Sequence, residues 1–173
     1  MQEIRDLPLQ SVVGRLFTTD SQVGFTQCDA NGHMNTAAFL ELAINHRMSE
    51  VLDFMGLDTV RQAKERGIVY LIRKVEMDLQ APASHGEHLL LESWIDQVHA
   101  SRMIVKVRIR RRHDRKTCCL VVFTATTMNT RKGVLIQIPE TFPSHLHSED
   151  FLNLPWAEGH PRPPSENSAA SSK

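Results

Sequence analysis

One long segment near the start of the chain has the periodicity of a helix, whereas most of the chain after it alternates like strands. Across residues 37–55, apolar residues recur every three or four positions, which is the spacing of one face of an amphipathic helix. This face consists of Leu40, Ile44, Met48, Val51, Leu52 and Met55. The polar remainder contains Glu41, Asn45, Arg47 and Glu50. Gly56 is a stop signal for this helix, and a short helix is predicted from Asp58 to Arg66.

Strands account for the rest of the predicted fold. Four long segments with strand-like composition, bounded by turn residues, span residues 69–80, 87–98, 102–112 and 117–128. A first strand region is predicted over residues 12–26 and a short last strand over residues 134–138. The first region has the apolar members Leu16, Phe17, Val23 and Phe25. In the third long segment, apolar Met103, Val105, Val107 and Ile109 alternate with mostly polar residues, as in an antiparallel sheet covered on one face. One long helix followed by such strands predicts an α+β fold.

Composition limits the kind of protein that this chain can be. With 173 residues and 41% hydrophobic content, it is expected to form one domain with a sizeable core. Lys plus Arg and Asp plus Glu number 20 each, so the overall charge points to no nucleic-acid partner. Three cysteines suggest no disulfide framework, and the sequence shows neither a targeting segment nor a run of about eighteen apolar residues. We therefore expect a cytoplasmic protein with no membrane partner.

A cluster of polar residues lies between the first strand region and the long helix. Asp29, Asn31, His33 and Asn35 surround Gly32, and polar groups at the start of a buried helix are costly to desolvate unless they are paired or used. Asn35 or Thr36 can cap the helix. One interpretation of the rest is a turn, in which Asp29 and Asn31 make side-chain turns and Gly32 has a positive φ. An EF-hand is excluded because its key ligand and glycine positions hold the residues His33, Met34 and Leu40.

A functional interpretation starts from the beginning of the helix. Its first backbone N–H groups have no intrahelical acceptors, and the helix dipole places partial positive charge there. A carbonyl oxygen that gains negative charge would be stabilised at that point. Asp29, about seven residues earlier, is a candidate base or nucleophile across from it. This pattern is suited to acyl transfer to water.

At these residues the sequence resembles the hotdog-fold thioesterases of the 4-hydroxybenzoyl-CoA type, whose loop reads approximately D-x-x-G-H-V-N-N. Gly32, His33, Met34 and Asn35 match that loop closely, while Thr36 stands for its second asparagine. The alternation of Asp29, Asn31, His33 and Asn35 is also similar to acyl-ACP thioesterases. The resemblance covers about residues 12–141. It implies an antiparallel sheet of five to six strands wrapped around one long central helix, and thioester hydrolysis without a metal or organic cofactor.

The resemblance also implies roles for individual residues. Asp29 takes the place of the catalytic carboxylate, the Thr36 amide that of the group polarising the thioester carbonyl, and Asn31 and His33 those of residues beside the carboxylate. Asn35 and Phe39 are expected near the substrate. Two departures concern substrate choice: Phe39 replaces a tyrosine, and residues 43–45 lack the glutamate that many members carry.

Other charged clusters have weaker interpretations. The basic series from Arg108 to Lys116 is either a solvated strand face and turn or, through Arg110 and Arg112, a landing site for CoA phosphates. His145 and His147 resemble metal ligands, but supporting ligands are lacking and no metal site is predicted.

We expect a hydrolase acting on an acyl-CoA, with an acyl-carrier-protein thioester, a non-catalytic acyl-binding module and a dehydratase or hydratase as alternatives. Because a lone sheet exposes an edge strand, and because of the resemblance, a homodimer or homotetramer is expected. The predicted thioesterase domain spans residues 1–141, followed by a C-terminal strap over 142–156 and a disordered tail over 157–173.

Overall fold

The fold is seen in a computed structural model that describes residues 7–8, 13–53, 58–136, 138 and 141–142. The predicted strap and tail lie outside these residues, except for the first strap residue, and so does the stop signal at Gly56. The helices are α1 (Thr36–Asp53) and α2 (Thr59–Arg66), and a 3₁₀ turn (Phe25–Gln27) precedes them. The strands are β1 (Leu7–Pro8), β2 (Phe17–Gln22), β3 (Ile68–Leu79), β4 (His88–His99), β5 (Arg102–Arg111), β6 (Thr117–Asn129), β7 (Val134–Leu135) and β8 (Thr141–Phe142). Within the described part of the chain, neither helix is long and apolar enough to cross a membrane.

The main sheet is antiparallel, with strand order β2-β4-β5-β6-β3 and β7 added beside β6. The alternation expected for the third long segment is confirmed, because Met103, Val105, Val107 and Ile109 are all buried. Helix α1 packs against β4, β5 and β6 on this buried side of the sheet. One long helix against an antiparallel sheet of five to six strands confirms the α+β hotdog arrangement. β2 and β3 form its two edges.

Several local predictions agree with the structure. Asp58 is the N-cap of α2, where its side chain accepts a hydrogen bond from the Arg61 N–H at 2.9 Å. Gly67 ends that helix with φ +72°, and a Cβ there would lie 2.8 Å from the Arg131 side chain. The first strand region is shorter than expected. Only Phe17–Gln22 is extended in the main sheet, and Phe25 belongs to the following 3₁₀ turn.

The buried face of α1 is the clearest correction to the sequence analysis. Phe39, Ala43, His46 and Glu50 are buried, whereas Met48, expected in the apolar face, is 44% exposed. Glu50 was expected in the polar remainder of the helix but is 1% exposed. The helix is therefore rotated relative to the predicted face, and two ionisable residues enter the core.

A network of polar contacts explains why this burial is tolerated. His46 Nδ1 lies 2.7 Å from Thr19 Oγ1 on β2, and His46 Nε2 lies 3.0 Å from Glu50 Oε1. The other Glu50 oxygen accepts a hydrogen bond from the Ser93 hydroxyl on β4 and from Arg47 Nη1 at 3.3 Å. The Glu50 carboxylate is thus hydrogen-bonded through one oxygen and close to His46 through the other, and such partners make the burial of a charged group tolerable. The network ties the C-terminal half of α1 to two strands.

We expect Glu50→Ala to destabilise the fold by about 3–5 kcal/mol, because it leaves His46, Arg47 and Ser93 without their buried partner. Urea-induced unfolding measures the loss. Glu41→Ala, on the exposed side of the same helix, is the matched control and is expected to change stability by about 0.5 kcal/mol or less. If Glu50→Ala unfolds before it can be measured, Glu50→Gln gives a smaller loss. Equal stability of the Glu50 and Glu41 variants would contradict the network's role.

Candidate functional site

The polar segment before α1 forms a tight turn built on Asp29. The Gly32 N–H donates to the Asp29 carbonyl at 3.0 Å, and Gly32 has φ +75°, a conformation that favours glycine. The Asp29 N–H donates to the His33 carbonyl at 2.8 Å, which closes the loop. Asp29 Oδ1 accepts from the Asn31 N–H at 2.8 Å and, more weakly, from the His33 N–H at 3.4 Å. The predicted side-chain turn at Asp29 and the positive φ at Gly32 are thus confirmed.

These contacts orient the Asp29 carboxylate. Both backbone donors approach the same oxygen, Oδ1, and Oδ2 accepts no hydrogen bond from the described residues. Asp29 is exposed, as are the side chains of Asn31 and His33. Asn31 and His33 contact the carboxylate through their backbone N–H groups, and their side chains make no hydrogen bond within the described part of the chain. The turn therefore presents one free carboxylate oxygen and two free polar side chains to solvent.

Asn35 joins this turn to the helix. Its Oδ1 accepts from the Ala38 N–H at 2.9 Å, which makes it the N-cap of α1, and its Nδ2 donates to the Gln27 carbonyl at 2.9 Å. Of the two predicted capping residues, the structure thus selects Asn35 over Thr36. Met34 anchors the turn to the rest of the fold, because its side chain is buried in the core and its N–H donates to the Ala83 carbonyl at 2.7 Å.

The start of α1 retains two free donors. The Ala38 N–H is bonded to the Asn35 side chain and the Phe39 N–H to the Asn35 carbonyl at 3.2 Å. The N–H groups of Thr36 and Ala37 have no acceptor among the described residues, and the first turn carries no acidic side chain. Unsatisfied N–H groups at the positive end of a helix dipole are suited to binding an oxyanion.

A cavity of about 410 Å³ adjoins this helix start. Its wall includes Gly24, Thr26, Gln27, Asn35, Ala37 and Glu41. Asp29, Asn31 and His33 are not part of the wall, and Phe39, expected near the substrate, is buried in the core at 3% exposure. Glu41 was not predicted from the sequence to line this cavity. Its position one turn after Ala37 on the same helix was the available signal.

The two predicted phosphate-binding arginines lie in different surroundings. Arg110 pairs with the buried Glu92 on the sheet face opposite α1, and the structure does not bring it to the Asp29 turn. Arg112 is 56% exposed, pairs with Asp20, and lines a second cavity of about 510 Å³ with Gly86, Glu87, His88 and His113.

The charges of Arg111 and Asp114, close to Arg112 in the chain, are already paired with each other. The Arg111 guanidinium donates to Asp114 at 2.6 Å, and this hydrogen bond lowers the pKa of the Asp114 carboxyl to about 2. Arg111 is therefore held by a carboxylate that stays ionised, whereas Arg112 remains the more open of the two.

Other reactive groups do not form a second centre in the described part of the chain. Cys118 and Cys119 are buried, and burial is the main reason why the pKa of the Cys119 thiol is raised to about 12. Among the described residues, no group of three or more His, Cys, Asp or Glu side chains is placed to hold a metal ion. His145 and His147 lie outside the described residues.

Comparison with known proteins gives a consistent result. The family model described as the thioesterase-like superfamily matches residues 23–146. A 1,4-dihydroxy-2-naphthoyl-CoA thioesterase from Synechocystis is 18% identical, with a TM-score of 0.67, over 73% of this chain and 91% of that one. A 12:0-ACP thioesterase from Umbellularia californica is 15% identical, with a TM-score of 0.63, over 72% of this chain and 47% of that one. No protein of curated function matches in sequence. At these identities the solved structures support the fold alone.

We expect Asn35→Ala to destabilise the protein by about 1–2 kcal/mol, because it removes both the helix cap and the bond to Gln27. Thr36→Ala is the matched control, since the Thr36 hydroxyl is exposed and makes no hydrogen bond with the described residues. Thermal or urea unfolding measures both variants, and amide hydrogen exchange at Ala38 reports the cap directly. A larger loss from Thr36→Ala than from Asn35→Ala would contradict the assignment.

Proposed function

The chain belongs to the thioesterase-like superfamily, and we propose that it hydrolyses an acyl-CoA thioester to the free acid and CoA, with Asp29 as general base or nucleophile. The observation that carries the proposal is that a carboxylate and the first N–H groups of a helix lie only seven residues apart in the chain. Among the described residues, one Asp29 carboxylate oxygen accepts no hydrogen bond, and seven residues later the Thr36 and Ala37 N–H groups in the first turn of α1 have no acceptor. Thioester hydrolysis requires a base or nucleophile together with donors for the carbonyl oxygen.

In the general-base route, Asp29 Oδ2 takes a proton from a water molecule whose oxygen attacks the thioester carbonyl carbon. Negative charge develops on the carbonyl oxygen, where the Thr36 and Ala37 N–H groups donate to it. The C–S bond then breaks, and the leaving thiolate takes the proton back from Asp29. The Asn31 and His33 side chains, free in the described part of the chain, orient the water or the carboxylate.

In the nucleophilic route, a carboxylate oxygen of Asp29 attacks the same carbon and the C–S bond breaks, which leaves a mixed anhydride. Water then hydrolyses that anhydride and regenerates the carboxylate. A single turnover in ¹⁸O-labelled water separates the routes, because only the anhydride route can place the label in Asp29.

The thiol that carries the acyl group has two candidates, CoA and an acyl-carrier protein. Arg112, exposed beside the larger cavity, favours a CoA phosphate, since guanidinium groups bind phosphate well. The alternative of an acyl-carrier protein is supported by the fold shared with the 12:0-ACP thioesterase. Arg110, already paired with Glu92, is not assigned to the substrate.

We expect Asp29→Asn to lower kcat by about 10²–10⁴-fold, because the amide keeps an oxygen for the Asn31 N–H but is not basic. Free-thiol release from a panel of aliphatic and aromatic acyl-CoAs measures the rates. His33→Ala is expected to slow turnover less. Glu41→Ala is the matched comparison, since Glu41 is the carboxylate that lines the cavity beside Ala37. Loss of activity in Glu41→Ala together with full activity in Asp29→Asn would move the base to Glu41 and contradict the proposal.

A second copy of the chain is proposed to cover the edge strand β3. Ile72, Val75 and Leu79 pair with buried β6 residues, and side chains of paired residues lie on the same face of a sheet. They thus lie on the face that carries α1, yet they are 49%, 39% and 49% exposed. Helix α1 makes its main contacts with β4, β5 and β6 and leaves this end of the sheet open. An apolar, open edge strand is suited to pairing with another copy.

We expect Val75→Glu to weaken the dimer at least about tenfold, because the substitution places a charge on an apolar surface that the partner desolvates. Sedimentation at a series of protein concentrations measures the dissociation constant. Leu16→Glu is the control, since Leu16 is 48% exposed and directly precedes β2, at the opposite edge of the sheet. Equal dimerisation of the two variants would contradict the assignment of the interface to β3.

A further inference from the structure

Phe25 is the most exposed large apolar side chain among the described residues, at 78%. It lies in the 3₁₀ turn after β2, and its ring meets the imidazole of His85 edge-on, with the centroids 5.8 Å apart and an angle of 89° between the planes. An aromatic ring that contacts one perpendicular ring and is otherwise this exposed can still offer a flat surface for another ring to stack on. The sequence analysis expected this residue in the first strand region and gave it no function.

Phe25 is adjacent in the chain to residues of one cavity, and its ring partner His85 is adjacent to residues of the other. Gly24 and Thr26, the chain neighbours of Phe25, line the cavity at the start of α1, together with Ala37. Gly86 and His88, which follow His85, line the larger cavity beside Arg112. Backbone hydrogen bonds hold these parts together: the Gly86 N–H donates to the Val23 carbonyl at 2.9 Å, and the Val23 N–H donates to the Glu87 carbonyl at 3.0 Å.

The larger cavity has cationic and imidazole groups on its wall. Arg112, His88 and His113 are exposed. The Arg112 N–H donates to the His88 carbonyl at 2.8 Å, and this bond joins the two segments that line the cavity, residues 86–88 and 112–113. Three acids accompany them: Asp20 pairs with Arg112, and Glu87 and Asp114 each lie 3.8 Å from a ring nitrogen of His113. Asp20 contacts Arg112 through Nη1 alone, which leaves the other guanidinium donors free of acceptors among the described residues, and Glu87 is bound by the Ser84 N–H at 2.6 Å.

This surface differs from the edge that a second copy is proposed to cover. β3 lies at one edge of the sheet, whereas β2, which leads into the Phe25 turn, lies at the other. The Phe25 ring contacts the exposed His85, and the nearby larger cavity has the exposed His88 and Arg112 on its wall, in place of the aliphatic side chains of β3. An isolated ring beside guanidinium and imidazole groups complements a ligand that has both an aromatic base and phosphates.

We propose that the Phe25 ring, braced edge-to-face by His85, is a stacking platform for the adenine of CoA, and that the cavity of His88, Arg112 and His113 receives its phosphates. The pantetheine arm then crosses the 3₁₀ turn to the smaller cavity, where the thioester reaches the start of α1. The inference rests on the proposed acyl-CoA substrate and deepens it, because it selects CoA over a carrier protein. Phe25 is a specificity residue in this arrangement and takes no part in the reacting step.

The test compares two substrates with the same acyl group, one on CoA and one on N-acetylcysteamine, which lacks the nucleotide. Phe25→Ala is expected to raise KM for the acyl-CoA roughly 5- to 150-fold, the effect of losing one stacked base, with kcat unchanged. KM for the truncated thioester stays the same. Phe25→Tyr, which keeps the ring, is expected to retain the wild-type KM, and Val60→Ala is the control for loss of an exposed apolar side chain.

Calorimetric titration with CoA and with pantetheine gives a readout that needs no turnover. Phe25→Ala and Arg112→Gln are each expected to weaken CoA binding and to leave pantetheine binding unchanged. CoA binding that depends on Phe25 in a protein without hydrolase activity would support the platform and refute the proposed reaction. Hydrolysis of the truncated thioester without CoA binding would support the reaction and overturn the platform.

Two further outcomes would overturn the inference. An unchanged CoA affinity in Phe25→Ala, with a smaller mass in solution, would assign the ring to contact between copies of the chain. Binding of an acyl-carrier protein that Arg112→Gln abolishes, with no binding of CoA, would assign the basic cavity to a carrier protein.

Discussion

The Asn35 side chain connects the turn to the long helix, and the proposed chemistry depends on that connection. By accepting from the Ala38 N–H, it caps α1 and leaves the Thr36 and Ala37 N–H groups without an acceptor in the described part of the chain, and by donating to the Gln27 carbonyl it fixes the incoming segment. If Thr36 were the cap, the helix would begin one residue later and the Thr36 N–H would no longer belong to its first turn. The choice of cap therefore decides which donors face a ligand.

Local chemistry made much of the fold predictable. The α2 cap at Asp58, the left-handed Gly67 and the alternation of β5 all follow from interactions within a few residues. The buried face of α1 was predicted wrongly because its partners come from elsewhere in the chain. Hydropathy places His46 and Glu50 in solvent, and Thr19 on β2 and Ser93 on β4 make their burial favourable, together with Arg47 on the helix itself. Such partners lie up to 43 residues away and leave no periodic signal in the helix itself.

In the candidate site, too, features fixed by local contacts were predictable and features fixed by distant contacts were not. Asp29 and Gly32 were predictable, because their turn is closed by groups within four residues. Arg110 and Arg112 could not be told apart, since both belong to one basic run, and their difference lies in distant partners. Arg110 meets the buried Glu92, whereas Arg112 meets the exposed Asp20, 92 residues earlier. Phe25 was predicted as an apolar member of the first strand region, because an aromatic residue after alternating positions is typical of a strand, whereas it lies in the 3₁₀ turn with its ring exposed.

The proposed second copy would also account for how water is excluded from the candidate site, which is exposed in the single chain. Hydrogen bonds to an oxyanion are far stronger where water is excluded, yet Asp29, Asn31 and His33 are exposed. β3 leads directly into the segment that contacts their turn, since the Met34 N–H donates to the Ala83 carbonyl and His33 bridges to Ser84. A copy placed on the open apolar face of β3 would therefore come close to the Asp29 turn and shield it from solvent. The same contact that buries the edge strand would then strengthen the donors at the start of α1.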